Sequence, residues 1–550
     1  MSDQSVRMSV EGMTCGHCEV SVARALRGAG AGDPTADFRT GAATFDPPAG
    51  VETEVLQQAV REAGYEPGPI ERIGQEPART QTGDGYYDYD LAIIGSGGGA
   101  FAAAIRAVGL GARVAMVERS TIGGTCVNVG CVPSKTLLRG AETYHRAGHH
   151  PFEGVETKAG AIDYGEMIAQ KDELVEALRK EKYVDLVDEY GWDLIESEAS
   201  FEDEETLRVG ERSIKAASYL VATGARPAVP EIPGLEEAGY LTSTTAMELN
   251  EVPESVLVIG AGYVALEQGQ LLNRLGSRVT LMQRGPRLLR DQEPEVSEAM
   301  MEALGREGIE VLTGVSIERA EKTESGKRLH VTVDGKERVL EGEEILVAAG
   351  RQPNVEELSL DLAGIKLDKR CAVRVDEQLQ TTNPRVWAAG DVTLGPQYVY
   401  VAAHEGALAV DNALSGAGRE LDFSALPGVI FSDPQAASVG LTEQKSREKG
   451  FDVETSVLPL KAVPRALVNH DTLGVIKLVA DAGTKRLLGA HIVAENAGDV
   501  IYAATLAVKF GLTVSDLADN FAPYLTMSEG LKLAAQTFGR DVSKLSCCAA

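Results

Sequence analysis

The first 70 residues alternate between strand-like and helix-like hydrophobic patterns. Residues 6–10 and 42–45 alternate apolar and polar positions as strands do, whereas residues 19–27 and 51–63 carry apolar positions at helical spacing. Gly64 is placed to end the second helix. A stretch rich in Gly, Pro and polar residues, at about 67–85, predicts a linker. The pattern therefore predicts a small N-terminal unit that is separate from the rest of the chain.

The remainder of the chain alternates strands and helices, as parallel α/β domains do. Apolar runs at 89–94 and 255–259 predict buried strands, and each leads through a glycine-rich turn into a helix. Beyond about residue 424 the pattern changes to alternating strands, such as 474–480, and long helices, such as 497–510. Residues after 538 lack periodicity and predict a mobile tail.

Composition narrows the choice of partners and compartment. The 550 residues exceed what one hydrophobic core accommodates, so three or four domains are expected. With 53 Lys and Arg against 82 Asp and Glu, the net charge of −29 disfavours nucleic acid and anionic membranes as partners. No apolar run approaches the ~18 residues of a membrane span, and the N-terminus lacks a signal-peptide pattern. We therefore expect a cytoplasmic protein.

The first glycine turn, at 95–100, predicts a dinucleotide site. Gly95 allows a tight turn, Gly97 lets the backbone approach a pyrophosphate, and Ala100 permits close helix packing. The N–H groups that begin the helix are then available to phosphate. Glu118 ends the next strand, where a carboxylate can bind a ribose hydroxyl. An ordinary turn is the alternative to this interpretation.

The second glycine turn, Gly260 to Ala265 with Gly262 between them, predicts another dinucleotide site. Here the following strand ends in a glutamine, and the arginines Arg284, Arg287 and Arg290 come next. Cationic side chains at this point favour a 2′-phosphate, so NADPH is preferred over NADH, with a solvated basic turn as the alternative. Two such sites in one chain suggest electron transfer between NADPH and FAD.

Six of the seven cysteines form three close pairs: Cys15/Cys18, Cys126/Cys131 and Cys547/Cys548. In the central pair, five residues of regular helix rise about 7.5 Å, which is beyond the reach of a disulfide. The chain must be distorted there, with Gly130 assisting, if the two thiols meet. A structural disulfide is the alternative to a redox pair. The remaining cysteine, Cys371, is expected to be a packed core thiol.

The segment from Gly123 to Lys135, Gly-Gly-Thr-Cys-Val-Asn-Val-Gly-Cys-Val-Pro-Ser-Lys, resembles the redox motif of the pyridine nucleotide–disulfide oxidoreductases. The resemblance extends over about 87–550. It implies that Cys131 is the thiol nearest the flavin, that Cys126 is the interchange thiol, and that Lys135 and Glu267 form an ion pair near the flavin. It also places Gly124, Thr125 and Asp391 at the FAD, the last within Ala-Ala-Gly-Asp.

One position departs from the disulfide reductases of that family. They carry a histidine near the C-terminus that protonates a leaving thiolate, whereas this chain reads Ala-Pro-Tyr524-Leu-Thr-Met-Ser-Glu. A phenol with a pKa near 10 is a poor substitute for this proton transfer. The mercuric reductase branch resembles this chain here, and it also has a tyrosine that matches Tyr183.

The terminal pair supports the same branch. Consecutive Cα atoms lie about 3.8 Å apart, below the usual disulfide range, so Cys547 and Cys548 are better suited to capture a soft cation. The tail from 539 to 548 spans roughly 30 Å when extended. Its sequence resembles the mercuric reductase C-terminus, whose cysteines serve the active site of the partner subunit.

The N-terminal motif Gly-Met-Thr-Cys15-Gly-His-Cys18 places two thiols on a predicted strand-to-helix loop. The helix N-terminus lowers thiol pKa values there. The motif resembles that of heavy-metal-associated domains with a ferredoxin-like βαββαβ fold. A thioredoxin-type redox motif is the alternative.

These interpretations define an α/β chain with two Rossmann-like domains that bind FAD and NAD(P), an α+β dimerisation domain and a preceding metal-binding domain. The expected boundaries are a heavy-metal-associated domain at 1–70, a linker at 71–86, an FAD-binding domain at 87–239 and 356–423, an NADPH-binding domain at 240–355, and a dimerisation domain with the Cys-Cys tail at 424–550.

The resemblance implies a homodimer with shared active sites that uses NADPH and FAD to reduce Hg(II), held as a thiolate complex, to Hg(0). Two alternatives remain open from the sequence. One is a lipoamide- or glutathione-type disulfide reductase, and the other is a metal-trafficking protein with a non-catalytic flavoprotein-like scaffold.

Overall fold

The computed structural model describes residues 6–13, 16–37, 41–48, 51, 53–72, 80–82 and 85–538. The N-terminal unit has six elements: β1 (Val6–Glu11), α1 (Gly16–Gly28), β2 (Gly32–Asp37), β3 (Ala42–Asp46), α2 (Thr53–Glu62) and β4 (Glu66–Arg72). Its sheet has the order β2-β3-β1-β4, with every neighbouring pair antiparallel. This order and connectivity are those of the βαββαβ ferredoxin-like fold.

One expectation for this unit was wrong. Strand β4 occupies the start of the predicted linker and pairs with β1, for example Met8 with Ile70. The sequence Glu-Pro-Gly-Pro-Ile-Glu-Arg reads as irregular because two prolines and a glycine interrupt it. Proline is tolerated in a strand at the edge of a sheet, which is where β4 lies. A hairpin of β5 (Thr80–Thr82) and β6 (Gly85–Tyr87) precedes the next unit.

The first large unit is built on a seven-stranded sheet. Its elements up to residue 238 are β7 (Tyr89–Ile94), α3 (Gly98–Gly109), β8 (Val114–Glu118), α4 (Gly124–Asn128), α5 (Cys131–Gly148), α6 (Tyr164–Arg179), α7 (Asp185–Tyr190), β9 (Asp193–Glu196), β10 (Ala199–Phe201), β11 (Thr206–Val209), β12 (Arg212–Val221), β13 (Ala225–Pro227) and α8 (Leu235–Ala238). A π-helical turn at Lys180–Val184 joins α6 to α7. The strands β12, β7, β8 and β9 run parallel, so the glycine turn after β7 lies at the carboxyl edge of the sheet.

The second large unit repeats the arrangement with a five-stranded parallel sheet of order β14-β21-β15-β16-β17. Its elements are β14 (Leu241–Thr242), β15 (Ser255–Ile259), α9 (Tyr263–Arg274), β16 (Arg278–Met282), α10 (Pro294–Arg306), β17 (Glu310–Leu312), the antiparallel β18 (Ser316–Thr323), β19 (Gly326–Val333) and β20 (Lys336–Gly342), and then β21 (Glu344–Val347) and β22 (Arg351–Pro353). Strand β15 is buried at all five positions, as its apolar run predicts.

The chain then returns to the first sheet. Strand β23 (Val386–Ala388) pairs parallel with β12, and α11 (Val399–Ser415) packs against α3. Both glycine turns therefore belong to sheets that are covered by helices, and the first sheet is completed by residues almost 300 positions after β7. This return is what places residues 390–405 beside the first glycine turn.

The C-terminal unit is an antiparallel sheet of order β24-β25-β28-β27-β26 with helices packed on it. Its elements are β24 (Pro427–Ile430), β25 (Gln435–Gly440), α12 (Glu443–Glu448), β26 (Val453–Pro459), α13 (Pro464–Val468), β27 (Val475–Asp481), β28 (Leu487–Ala494), α14 (Ala497–Lys509), α15 (Val514–Asp519) and α16 (Glu529–Gln536). Among the described residues, no helix is long and apolar enough to cross a membrane.

Candidate functional site

The first glycine turn leaves bare backbone at the start of α3. Gly95 has φ +107°, and a Cβ there would lie 2.4 Å from the carbonyl oxygen of Ala222. A Cβ on Gly124 would lie 2.5 Å from the Cα of Gly97, so the turn and the start of α4 touch backbone to backbone. Gly97 is the N-cap of α3 and supplies no side-chain cap, which leaves the first N–H groups of the helix available to phosphate. This cradle fits a dinucleotide pyrophosphate.

The other residues predicted for this cofactor surround the turn. Ala100 is fully buried against the sheet, and Thr125 lies exposed in α4. Glu118 ends β8, and its carboxylate accepts hydrogen bonds from Ser96 Oγ at 2.6 Å and from the Ser120 N–H at 2.8 Å. These two donors orient the carboxylate at the carboxyl edge of the sheet.

The second glycine turn has the same construction. Gly260 has φ +121°, and a Cβ there would lie 2.3 Å from the Ala348 carbonyl oxygen. Gly262 is the N-cap of α9 without a side-chain cap, and a Cβ there would meet open space. Ala265 is fully buried. The open space over an uncapped helix N-terminus fits a second pyrophosphate.

The arginines after β16 divide into two groups. Arg284 and Arg290 are exposed. By contrast, the Arg287 guanidinium donates to the carbonyl oxygens of Arg290 at 2.7 Å and Gln292 at 2.9 Å, so it shapes the loop. Arg284 and Arg290 are therefore the two that face solvent for a phosphate.

The central cysteines are brought together by a break between two helices. Cys126 lies in α4, and Cys131 is the first residue of α5, with the helix interrupted at Val129 and Gly130. A Cβ on Gly130 would lie 2.8 Å from the Thr125 carbonyl oxygen, so glycine permits the close turn. The predicted distortion of the chain at this point is confirmed. Both cysteines are present as thiols.

The two thiols have opposite acidities. A hydrogen bond from Cys126, supported by the charge of Lys135 and opposed by burial, lowers the pKa of Cys131 to about 7. The same hydrogen bond, together with burial, raises the pKa of Cys126. Cys131 is also at the N-terminus of an 18-residue helix, which favours a thiolate. Above about pH 7, the pair is therefore a thiolate at Cys131 that accepts a hydrogen bond from the Cys126 thiol.

Three domains meet at one carboxylate beside this pair. Lys135 lies one turn after Cys131 on α5, and its Nζ is 2.7 Å from Glu267 Oε2 on α9. The other oxygen of Glu267 accepts a hydrogen bond from the Phe431 N–H at 2.8 Å. The Lys135 Nζ also lies 5.0 Å from the centre of the Phe431 ring, within the range of a cation–π contact. The sequence-based prediction included the ion pair but missed Phe431, for which the sequence carries no signal.

Tyr183 lies next to the cysteine pair, in the π-helical turn between α6 and α7. Burial and the nearby Cys126 and Cys131 raise the pKa of Tyr183, so its hydroxyl stays protonated. Its ring packs edge-to-face on Phe101 with centroids 4.7 Å apart, which fixes its position. Insertion of one extra residue in the helical turn is typical of functional sites.

Two acids follow β23 near the turn predicted to contact FAD: the half-buried Asp391 in the turn and the buried Glu405 on α11. Burial raises the pKa of Asp391, and its ion pair with Arg351 at 3.1 Å opposes that rise. Glu405, on α11, is 2% exposed and accepts a hydrogen bond from the Gly390 N–H at 2.6 Å. Burial and the neighbouring Asp391 raise the pKa of Glu405 to about 7. The sequence-based prediction missed Glu405 because an acidic residue within a helical pattern is expected on the solvent-exposed face of the helix.

Several predicted residues are not brought to this site within the described chain. Cys15, Cys547 and Cys548 lie outside the described residues. Cys18 lies in α1 and packs against the small N-terminal core. Tyr524 lies on the surface of the C-terminal unit and is 58% exposed. Within the described ranges, no group of three or more His, Cys, Asp or Glu side chains is arranged to hold a metal ion.

The prediction for Cys371 was wrong. Cys371 is exposed, in a turn where it adopts φ +61°. Cys371 follows Lys369 and Arg370, and residues 366–371 are all exposed, so the turn keeps this side chain at the surface.

Two family models match the chain. The pyridine nucleotide-disulphide oxidoreductase model matches residues 89–406, and its dimerisation-domain model matches residues 426–535. The N-terminal unit lies outside both matches.

Relatives match the chain over its length. A mercuric reductase of Staphylococcus aureus is 56% identical over 549 residues, which cover 100% of each chain. A mercuric reductase of Bacillus cereus is 54% identical and covers 99% of this chain and 87% of its own. Among solved structures, the Cu(II) complex of the HOCl-induced flavoprotein disulfide reductase RclA from Escherichia coli has a TM-score of 0.74 and 31% identity. It covers 82% of this chain and 99% of its own.

Proposed function

Because this chain belongs to the pyridine nucleotide-disulphide oxidoreductase family and, within it, to the mercuric reductases, we propose that it reduces Hg(II) to Hg(0) with NADPH and FAD. The overall reaction is NADPH + Hg(II) → NADP⁺ + H⁺ + Hg(0). When bound, NADPH supplies a hydride equivalent and FAD passes an electron pair to the substrate site. One observation carries the proposal: the side chains of Cys126 and Cys131 lie within hydrogen-bond distance of each other, next to Lys135.

Cys126 and Cys131, the inner pair, bind the metal ion through two soft sulfur ligands. Thiolates select soft cations such as Hg(II) over hard ones. Cys131 is ionised near neutral pH and bonds first, and Cys126 loses its proton as it becomes the second ligand. Lys135 offsets the negative charge of the pair, and Glu267 holds Lys135 in place. Tyr183 offers a protonated hydroxyl beside the metal, and Tyr524 of the partner subunit offers a second one.

The cofactors are held by the two glycine turns. Gly95, Gly97, Ala100, Glu118, Gly124, Thr125 and Asp391 bind FAD, and Gly260, Gly262 and Ala265 bind NADPH. Arg284 and Arg290 give the preference for NADPH over NADH, since both are exposed after β16. Exposed arginines at this point pair with a 2′-phosphate.

Hg(II) reaches the inner pair through thiolate exchange. Cys15 and Cys18 of the N-terminal heavy-metal-associated domain capture it, and Cys547 and Cys548 pass it to the partner subunit's inner pair in a homodimer. The metal stays bound to sulfur in every step, so no bare ion is released. This chemistry suits the cytoplasm, where thiols are kept reduced. We propose the domain boundaries expected from the sequence, with the N-terminal domain extended to Arg72 at the end of β4.

The experiment measures volatile mercury and NADPH oxidation by the purified FAD-loaded protein in excess thiol. We expect Hg(II)-dependent NADPH oxidation with release of Hg(0), and its loss in Cys126→Ser and Cys131→Ser. Cys371→Ser, an exposed thiol outside the site, serves as the matched control and should retain wild-type activity. NADPH oxidation that Hg(II) does not stimulate would refute the proposal. Turnover of lipoamide or glutathione disulfide instead would establish the disulfide reductase alternative, against which Tyr524 argues.

A further inference from the structure

Glu405 is a buried acid that has no cation beside it. It is 2% exposed, and the hydrogen bond that it accepts comes from the Gly390 N–H at 2.6 Å. Throughout the described ranges, no lysine or arginine forms an ion pair with it. A buried carboxylate usually has such a partner, because ionisation in a low-dielectric site is costly. Glu405 is therefore an exception that needs an explanation.

The position of Glu405 connects it to the first nucleotide turn. Its helix, α11, packs directly on the first turn of α3: a Cβ on Gly406 would lie 2.0 Å from the Gly99 carbonyl oxygen, and one on Gly98 would lie 2.9 Å from Val399 Cγ2. On its other side, Glu405 holds the backbone of the Gly390–Asp391 turn. It thus joins the helix N-terminus that fits a pyrophosphate to the turn that carries Asp391.

The other carboxylates of these elements, and Arg106 of α3, are already paired. Asp391 has Arg351 at 3.1 Å. On the helices, Arg106 of α3 pairs with Asp411 of α11 at 2.5 Å, and Asp411 also pairs with Arg419. His404, next to Glu405 on α11, is exposed. Asp391 is thus the ionisable group that acts on Glu405, and it disfavours a second negative charge.

A bound dinucleotide increases the electrostatic cost of a negative charge on Glu405. A diphosphate at the first glycine turn would add negative charge next to α3, and within the described ranges no lysine or arginine pairs with Glu405 to offset it. A neutral carboxylic acid avoids this repulsion, still accepts the Gly390 hydrogen bond through its carbonyl oxygen, and gains an O–H donor. The raised pKa of Glu405 agrees with this arrangement.

We propose that Glu405 is a positioning residue for FAD, which holds the Gly390–Asp391 turn as a neutral acid and weakens FAD binding when it loses its proton to solvent. The inference rests on the proposed use of FAD. It is independent of mercury chemistry, since it concerns only how the cofactor is held.

The test measures the dissociation constant of FAD from the holoenzyme between pH 6 and pH 9, by the recovery of free-flavin fluorescence after dilution. In the wild type, we expect the constant to rise with pH and to approach a tenfold increase per pH unit once Glu405 ionises. Glu405→Gln keeps the shape, the acceptor and a donor but cannot ionise. It should bind FAD within threefold of the wild type at pH 6 and show no rise above that pH.

Asp411→Asn is the matched control, since Asp411 is a buried acid on the same helix with two arginine partners. It should retain the wild-type pH dependence. Thermal unfolding of each holoenzyme at pH 6 checks that the variants fold. The proposal is refuted if the wild-type constant is flat from pH 6 to 9, if Glu405→Gln follows the wild-type curve, or if folded Glu405→Gln fails to retain FAD at pH 6. These three results concern FAD binding alone. Absence of mercury turnover would not change them and would contradict only the proposed function.

Discussion

At the scale of single residues, the acidity of the inner pair is set by side chains close in sequence, one of which is held in place by a distant residue. Cys131 gains its low pKa from Cys126, five residues earlier, and from Lys135, one helical turn later. Lys135 is in turn held by Glu267, which lies 132 positions further along the chain. The Cys131 thiolate forms as pH rises through about 7, well below the value of 9.0 for an isolated thiol. The site can therefore offer a metal-binding thiolate at neutral pH.

We expect Lys135→Gln to raise the pKa of Cys131 from about 7 toward 9. Loss of the cation removes a favourable interaction with the thiolate, so the proton is released only at higher pH. The pH dependence of Cys131 alkylation in the reduced protein, located by mass spectrometry, measures this change. Lys180→Gln removes an exposed lysine of the same unit that pairs with Asp185, and it should leave the profile unchanged. An unchanged profile in Lys135→Gln would contradict the assignment of Lys135 as the neighbouring cation.

At the scale of elements, one face of α9 joins the second nucleotide unit to the C-terminal unit. Glu267, Gln270 and Arg274 follow one another at helical spacing, and all three are buried. Gln270 exchanges hydrogen bonds with the backbone of Asp433, accepting at 2.8 Å and donating at 2.7 Å. Arg274 pairs with Glu307 at 2.6 Å and with Asp433 at 3.0 Å. The helix that begins at the second glycine turn therefore also fixes the segment that contacts Lys135.

We expect Arg274→Gln to destabilise the protein by about 2–4 kcal/mol, because it leaves two partly buried carboxylates without their cation. Denaturant unfolding, followed by tryptophan fluorescence, measures the loss. Arg306→Gln is the control, since Arg306 forms an exposed pair with Glu302 one turn away, and such pairs contribute under about 1 kcal/mol. Equal losses in the free energy of unfolding for the two substitutions would show that burial of the Arg274 network contributes nothing to the stability of the protein.

At the scale of the whole molecule, the residues proposed to act on Hg(II) lie in separate parts of the chain. The inner pair belongs to the first nucleotide unit, whereas Tyr524 and the terminal pair belong to the C-terminal end. Tyr524 is largely exposed, as are Phe510 and Phe521 of the same unit. The match of residues 426–535 to a dimerisation domain fits a site that two subunits build together.

Mixed dimers test whether the sites are shared. A subunit with Cys126→Ser and Cys131→Ser keeps its tail pair, and one with Cys547→Ala and Cys548→Ala keeps its inner pair. If each site combines two subunits, the mixed dimer contains one complete site, and we expect up to half of the wild-type activity from it. Each parental homodimer should be impaired under low-thiol conditions. Mixed dimers that are no more active than the parents would contradict shared sites.

A separate prediction at this scale concerns the N-terminal unit. This unit lies outside the two matched domains, residues 89–406 and 426–535. We expect removal of residues 1–86 to leave Hg(II) reduction in excess thiol within about twofold, since exchange with free thiols then delivers the metal. Activity should fall further when external thiol is scarce. Volatile mercury, measured at high and low thiol, would check this, and complete loss at high thiol would contradict it.

The sequence by itself determined the features that depend on local pattern. The glycine turns, the buried strands β7 and β15 and the break at Gly130 follow from residue types at fixed spacing, because backbone conformation and strand burial are local properties. Strand β4 was missed since its prolines and glycine conceal a strand that pairs with the distant β1.

Only the tertiary structure decided which side chains surround the redox pair and the flavin turn. Phe431 reaches Glu267 from 164 positions away. The helix α11, which carries Glu405, packs on α3 because the chain returns to the first sheet at β23. Their partners are set by how domains pack and which charges are buried together. The free energies of these packing and electrostatic interactions depend on three-dimensional distance and on exclusion of solvent, and a local stretch of sequence does not specify either.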